Sequence, residues 1–286
     1  MFDVARAELK RGLMSETVRP LHNVELRQGD ILSFEPKEGP PRYGVIINAD
    51  CDLSNSKHDG VIAYLPMYEF AEYLQIFWAP RFVEEQIASK RKQLADKFDV
   101  SSSEIEDLIS WLRLEAAEIV AAAFGSERSL KGKQIEELKT ALSSLKALCR
   151  DSESAFDKFC RACREDKEAE RFTRKRVEEA HKNMGDGHFF VSEVADLPRL
   201  GFVVRMRRIY SIPQSQCFRT RAEALAAASG TAPVATRIAS FAAPYRYRIA
   251  QLFAQQFSRI GLPDEITSLS EIALSDVVDQ ISKRPS

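Results

Sequence analysis

The chain has 286 residues, 44% of them apolar and 29% charged, enough to bury one large core or two smaller ones, which sets aside disorder as the default. Its formal net charge of −1 excludes a globally polybasic nucleic-acid binder. No stretch approaches the roughly 20 consecutive apolar residues of a membrane-spanning helix. Met1 to Lys10 mixes acidic, basic and apolar residues without an apolar signal core, so the expectation is a soluble, cytoplasmic protein with no membrane partner. The five cysteines, Cys51, Cys149, Cys160, Cys163 and Cys217, are odd in number and scattered, a poor disulfide framework that suits a reducing compartment.

In chain order, Val24 to Pro66 reads as short strands. Gln28-Gly29-Asp30 turns into Ile31-Leu32-Ser33-Phe34, Glu38-Gly39-Pro40-Pro41 breaks the chain, and Tyr43 to Asn48 follows. After the polar loop Asp50 to Asp59, the run Gly60 to Leu65 is a third strand, closed by Pro66. Three strands within about 40 residues is the density of a small barrel.

Beyond Pro80 the apolar period changes from two to about 3.6. Ser103 with Glu106 reads as a capping box, followed by Ile105, Leu108, Ile109, Leu112, Ala116, Ile119 and Ala123 on one helical face until Gly125. Ile135, Leu138, Leu142, Leu145 and Cys149 keep a seven-residue spacing, as in a coiled-coil-like helical hairpin. A more polar helix is expected from Ser154 to about His181.

Strand-like text resumes at Gly187, with His188 to Val191 and Gly201 to Tyr210. A short helix at Ala222 to Ala228 and a strand near Ile238 come next. A helix from Pro244 then presents Ile249, Phe253, Phe257 and Ile260 before Gly261, and a final one spans Leu269 to Ile281. The expected fold is therefore α+β, with a small β-barrel split by a helical insertion. In segments, 1–80 holds the first half of the barrel, 81–186 the insertion, 187–243 the second half and 244–286 the C-terminal helices.

Four features carry candidate chemistry. The loop Asn48-Ala49-Asp50-Cys51-Asp52-Leu53 leaves a strand with two carboxylates around one thiol, so Cys51 is a candidate nucleophile, Asp50 and Asp52 are candidate acids, bases or metal ligands, and His58 is a candidate partner. Flanking carboxylates raise a thiol pKa, which argues against a thiolate here. The bland alternative is an Asx-type turn, with Asp52 and Asn55 satisfying backbone amides and Cys51 packed as a small hydrophobe.

The second feature is Gly29-Asp30-Ile31, then Arg42-Tyr43-Gly44-Val45-Ile46-Ile47-Asn48, then Ile62-Ala63-Tyr64-Leu65-Pro66. It resembles the start of the PemK/MazF-like toxins, SH3-like barrels that include sequence-specific ribonucleases. It is also similar to a set of bacterial proteins with a Gly-Asp-Ile start and a Cys-Asp-Leu loop. The toxin resemblance implies an SH3-like barrel, Arg42 as the charge stabiliser at a scissile phosphate, a polar residue near Asn48 against the ribose, and a place in a stress or defence system. The chain departs from that pattern at Tyr43, where the family has proline, and at Asp50-Cys51-Asp52, whose carboxylates would repel a phosphate unless a metal intervened.

The third feature is an arginine excess. Between Phe202 and Ala250, Arg205, Arg207, Arg208, Arg219, Arg221, Arg237, Arg246 and Arg248 face the single acid Glu223, with Tyr210, Phe218, Tyr245 and Tyr247 among them. Arginine forks suit phosphate or carboxylate, so this is a candidate surface for RNA or an acidic partner, Arg205, Arg207, Arg208, Arg246 and Arg248 being its leading members. The alternative is that these arginines pair with acids elsewhere in the chain. Strand alternation puts Arg205 and Arg207 on one face and Arg208 on the other.

The fourth is Cys160-x-x-Cys163, with Cys149 before it and His181 after. In a helical stretch without Gly or Pro, this spacing describes a packed face more than a zinc knuckle. No cofactor or metal is expected. The readings that follow are a non-catalytic or conditionally active interaction module, docking a protein partner through the insertion and meeting RNA or an acidic partner through its arginines; a metal-assisted ribonuclease using Arg42 and a loop carboxylate; and a thiol enzyme centred on Cys51.

Overall fold

The computed structural model describes residues 15–35, 41–227 and 234–257. The chain is α+β. Its described residues fall into two compact units, one drawn from 1–67, 186–198 and 204–286, the other from 68–185 and 199–203.

The barrel unit begins with β1 (Thr17–Val18), β2 (Asp30–Glu35) and β3 (Tyr43–Ile46), then a single helical turn, α1 (Asp50–Ser54), and β4 (Val61–Glu69). After the helices come β5 (His188–Glu193), β6 (Leu200–Arg205), whose Leu200–Val203 are counted with the other unit, β7 (Tyr210–Pro213), β8 (Cys217–Phe218), α9 (Arg221–Ala227), β9 (Val234–Phe241) and α10 (Ala243–Phe257). The strands form one sheet in the order β1-β9-β2-β3-β4-β6-β5, with β7 on β4 and β8 on β9. Pairing is antiparallel between β1 and β9, β2 and β9, β2 and β3, β3 and β4, and β4 and β7, and parallel between β8 and β9.

Side chains bring the two end strands together, making a nearly closed barrel. Thr17 Oγ1 donates to the Glu193 carbonyl (3.3 Å) and accepts from Ala195 N (2.8 Å), and the Glu16 carboxylate accepts from Ser192 N (2.6 Å) and Ser192 Oγ (3.1 Å). Inside, Leu32, Phe34, Ile46, Ile62, Tyr64, Ile212 and Ala235 form an apolar cluster. The alternation of β strands places them on one face. Gly44 makes room for it: a Cβ there would lie 2.4 Å from Tyr64 Cδ2.

Two expectations change in the barrel. β4 runs through Pro66 to Glu69 instead of closing at it, Pro66 following Tyr64, the last β4 residue paired with β7. The run from Gly201 to Tyr210 is two strands, not one. Met206 is buried and the chain turns over Arg207–Ile209, so Arg207 and Arg208 are both exposed in a turn and strand alternation does not separate them. The strand expected near Ile238 is β9, whose burial alternates through Ala235, Arg237, Ala239 and Phe241, in register with β2 across a bulge at Ile31/Leu32.

Between β4 and β5 the helices are α2 (Phe70–Tyr73), a π turn (Leu74–Trp78), α3 (Ala79–Phe98), α4 (Ser102–Leu114), α5 (Ala117–Glu127), α6 (Gly132–Leu148), α7 (Ala155–Glu165) and α8 (Ala169–Lys182). Pro80 opens α3 directly after the π turn, whose wider bonding (Ala79 N to the Leu74 carbonyl) leads into it. α3 ends at Asp99 in a left-handed conformation (φ 53°), so α4 restarts two residues earlier than the sequence pattern suggests. The capping box is Ser101 with Glu104, not Ser103 with Glu106: Ser101 N donates to Glu104 Oε2 (2.8 Å) and Glu104 N to Ser101 Oγ (3.3 Å). The helix expected to run on to Gly125 breaks at extended Glu115 and Ala116, leaving Ile119 exposed and turning Ala117, Val120, Ala121 and Phe124 inward. Gly125 lies inside α5 instead of ending it. A Cβ there would come within 3.0 Å of Ile135 Cγ1, so the glycine lets α6 approach closely.

These residues share one core. Leu94, Phe98, Ile105, Leu108, Leu112, Val120, Leu138, Leu142 and Leu145 are buried together, and the seven-residue spacing of α6 marks its inward face. The helix expected over Ser154 to His181 is two helices. Asp166 is extended, and its Oδ1 accepts from Glu168 N (2.9 Å), an Asx turn that competes with the helix ladder. Cys163 is buried with Phe82, Val83 and Phe159, and Cys160 packs at the edge of that cluster, as the helical spacing implies. Ile260 and the helix expected over Leu269 to Ile281 lie outside the described residues. Among the described residues no helix is long and apolar enough to cross a membrane.

Candidate functional site

The loop after β3 is neither an open acid–thiol constellation nor a simple Asx turn. It winds into α1, whose Leu53 packs against the inner barrel cluster while Cys51 is exposed. Asn48 extends the β3–β4 ladder with its side chain: Oδ1 accepts from Ala63 N (2.7 Å) and Nδ2 donates to the Val61 carbonyl (3.4 Å). Asp50 Oδ1 accepts from Gln28 N (2.8 Å), and Asp50 Oδ2 lies 3.4 Å from Arg246 Nη1. Asn55 does not satisfy a backbone amide but donates to the Cys51 carbonyl (2.7 Å).

Arg246 joins features that are far apart in sequence. It arises in the first turn of α10, and its side chain crosses Gly29, where a Cβ would sit 2.7 Å from Arg246 Cγ. Gly29 also has φ +82°, so the turn before β2 requires glycine twice over, for its backbone and for the arginine above it. The Arg246 guanidinium lies 5.1 Å from the centroid of the Tyr247 ring.

His58 is buried, and both ring nitrogens are engaged, Nδ1 with the Asp52 carbonyl (3.2 Å) and Nε2 with Gln214 Oε1 (2.8 Å). The Cys51 thiol instead points at Asp52 Oδ1 (3.6 Å). The structure thus places Cys51 with Asp52 and leaves His58 bonded elsewhere. Arg42 precedes β3, whereas Asn48 and Asp50 follow it. Six residues at ~3.3 Å each put about 20 Å of chain between Arg42 and Asn48. The two ends of the strand are not one site. Among the described residues no group of three or more His, Cys, Asp or Glu side chains could hold a metal ion.

The arginine cluster divides. Arg237 is a barrel-core residue: Nη1 donates to the Glu25 carbonyl (3.0 Å) and lies 3.3 Å from Asp30 Oδ2, and Nη2 donates to the Leu21 carbonyl (3.0 Å). Asp30 also accepts from Arg27 N (2.9 Å) and from Ser240 Oγ, yet burial pushes its pKa up against these bonds. Arg219 pairs with Glu223 (2.6 Å) and Glu25 (2.8 Å), Arg221 with Glu35 (3.7 Å) and Arg246 with Asp50. At least four of the eight arginines therefore meet carboxylates, four of the five carboxylate partners lying far away in sequence.

What remains is concentrated at the β6–β7 turn. Arg208 makes no hydrogen bond or ion pair among the described residues, and Arg207 donates to Gln256 Oε1 (3.0 Å). Arg205 is half-buried, and Arg248 is exposed, donating to Gln251 Oε1 (3.2 Å). Ile209 is 50% and Tyr210 45% exposed, a combination that sequence reading passed over. Tyr210 stacks on Tyr64 (centroids 5.9 Å apart), which packs on Phe34 (4.7 Å), so an exposed ring is held on a buried aromatic ladder. The signal was available in the adjacency of Arg208, Ile209 and Tyr210, once the strand is seen to end at Arg205. No family model, no curated protein and no solved structure matches the chain.

Proposed function

We propose that the chain is a non-catalytic protein-interaction module whose β6–β7 turn engages an acidic partner protein. The observation that carries this reading is the turn itself: an arginine without an ion pair among the described residues, an exposed isoleucine and a tyrosine stiffened by stacking stand together. Rigid aromatic and arginine side chains are the anchors that dominate protein interfaces. The loop after β3 adds support, because Asn48, Asp50 and His58 all brace the barrel's own backbone and neighbouring side chains. RNA binding is the weaker reading, since internal pairing of four arginines leaves few cations for successive phosphates. In the helical unit, Leu114 and Ile119 are exposed and offer a second docking surface. A setting in a bacterial stress or defence system is part of the proposal and rests on the toxin-like resemblance.

The test compares the wild-type protein with Arg208→Ala and Tyr210→Ala, using a polyglutamate peptide as a model acidic partner and mixed cellular RNA with and without divalent metal. Expected are salt-sensitive peptide binding, weakened in both variants, and RNA that is neither cleaved nor retained. RNA cleavage lost in Arg42→Ala and Asp52→Ala would replace this reading with the ribonuclease. RNA retention lost in Arg208→Ala, with no peptide binding, would replace the acidic protein with RNA.

A further inference from the structure

The helical unit holds a cavity of about 260 Å³ between the C-terminal parts of α4 and α6. Its floor is aliphatic: Ile109, Leu112 and Leu145 line it from the unit's core. Its rim is cationic, with Arg113, Lys146 and Arg150 against the single carboxylate Asp151. Cations at helix C-termini answer the exposed carbonyls there, and Lys146 does so directly, donating to the Glu115 carbonyl (2.6 Å). Arg150 shares Glu153 (3.3 Å), which Arg161 also holds (2.9 Å). Arg113 is exposed and makes no hydrogen bond or ion pair among the described residues. The floor and rim together match a ligand with an apolar body and an anionic head.

We infer that this cavity binds a small amphipathic carboxylate, its hydrocarbon part on Ile109, Leu112 and Leu145 and its head group on Arg113 and Arg150. At ~30 Å³ per water-sized group, the volume admits about nine non-hydrogen atoms, the size of a medium-chain or aromatic acid. The planar guanidinium fork fits a carboxylate through two parallel hydrogen bonds. Cys149 lines the same cavity and reports on it. Burial pushes its thiol pKa up, while Arg91, Lys158 and Arg113 act in the opposite sense and Asp151 adds to the rise.

The probe is octanoate and the readout is the alkylation rate of Cys149 by iodoacetamide, followed peptide by peptide on the full chain, with exposed Cys51 as internal control. Octanoate is expected to slow Cys149 severalfold and leave Cys51 unchanged, while octanol protects much less. In Arg113→Gln the ratio of rates with and without octanoate should fall towards one, and Arg113→Lys should keep part of the protection; thermal melts of both variants check that the fold is intact. Absence of protection, equal protection by octanol, or undiminished protection in a folded Arg113→Gln protein would each overturn the inference.

Discussion

The barrel unit keeps a carboxylate and a guanidinium fully in its interior, whereas the buried clusters of the helical unit are apolar and its ion pairs are half-buried or exposed. Asp30 and Arg237 are almost wholly buried and tie β2 and β9 to the carbonyls of Leu21 and Glu25. In the helices, pairs such as Arg81–Glu85 and Arg171–Glu168 are exposed, join neighbouring turns and contribute little. The difference shows two ways of fixing a chain. A helix with a clean apolar stripe needs nothing polar inside it. A small barrel with a bulged strand has backbone groups to satisfy and uses buried charge to do so, at the cost of desolvation.

The largest loss is expected for Arg237→Ala. It leaves Asp30 buried without its ion-pair partner and takes the Arg237 donors from the Glu25 and Leu21 carbonyls, the latter keeping only Val24 N, and should cost about 3–5 kcal/mol in urea unfolding. A loss below ~1 kcal/mol, the scale of an exposed pair, would mean that the interior pair is no stronger than the surface ones. Next in size is Gly29→Ala, which places a Cβ in a left-handed turn and against the Arg246 side chain. About 1–3 kcal/mol of backbone strain is expected, together with displacement of Arg246 from Asp50, measurable as a chemical-shift change at Tyr247.

The smallest effect belongs to the helical unit and is read by pH. Hydrogen bonds from Ser101, and then Arg128, hold the exposed Glu104 carboxyl at about 2, below its ordinary 4.5. Because the folded value is depressed, the stabilisation is fully present above pH 4.5 and disappears as pH falls through about 2. Glu104→Gln should therefore flatten the acid limb of the stability curve in that window. Asp30 has the opposite sense: its pKa is raised by burial, so its cost appears as pH rises above the ordinary 3.8.

Much of the architecture was legible because it is written locally. The inward face of α6, the Pro80 start of α3 and the Ser154 start of α7 follow from spacing and capping chemistry. Errors arose where two nearby residues offer the same local chemistry, as with Ser101 and Ser103, or where a short polar side chain interrupts a helical pattern, as at Asp166. The site was harder for a different reason. Asp50 meets Arg246, His58 meets Gln214 and Asp30 meets Arg237 across separations of 156 to 207 residues, and no periodicity encodes such pairings. Arg237, counted with the arginine excess, is turned into the barrel, and the register that turns it there depends on the bulge at Ile31/Leu32.

The closure of the barrel also sets an order of events during synthesis. β2 finds Asp30 opposite Ser240, and Thr17 is paired with Phe241, so neither strand has its β9 neighbour until almost the whole described chain has left the ribosome. The helices between Phe70 and Lys182 have their partners within their own span and can fold first. Through that interval β2 and β3 wait as a hairpin with an unpaired edge. A pulse of stalled nascent chains should show protease-resistant helices before a protease-resistant barrel, with truncation ahead of β9 leaving β1 and β2 open to cleavage.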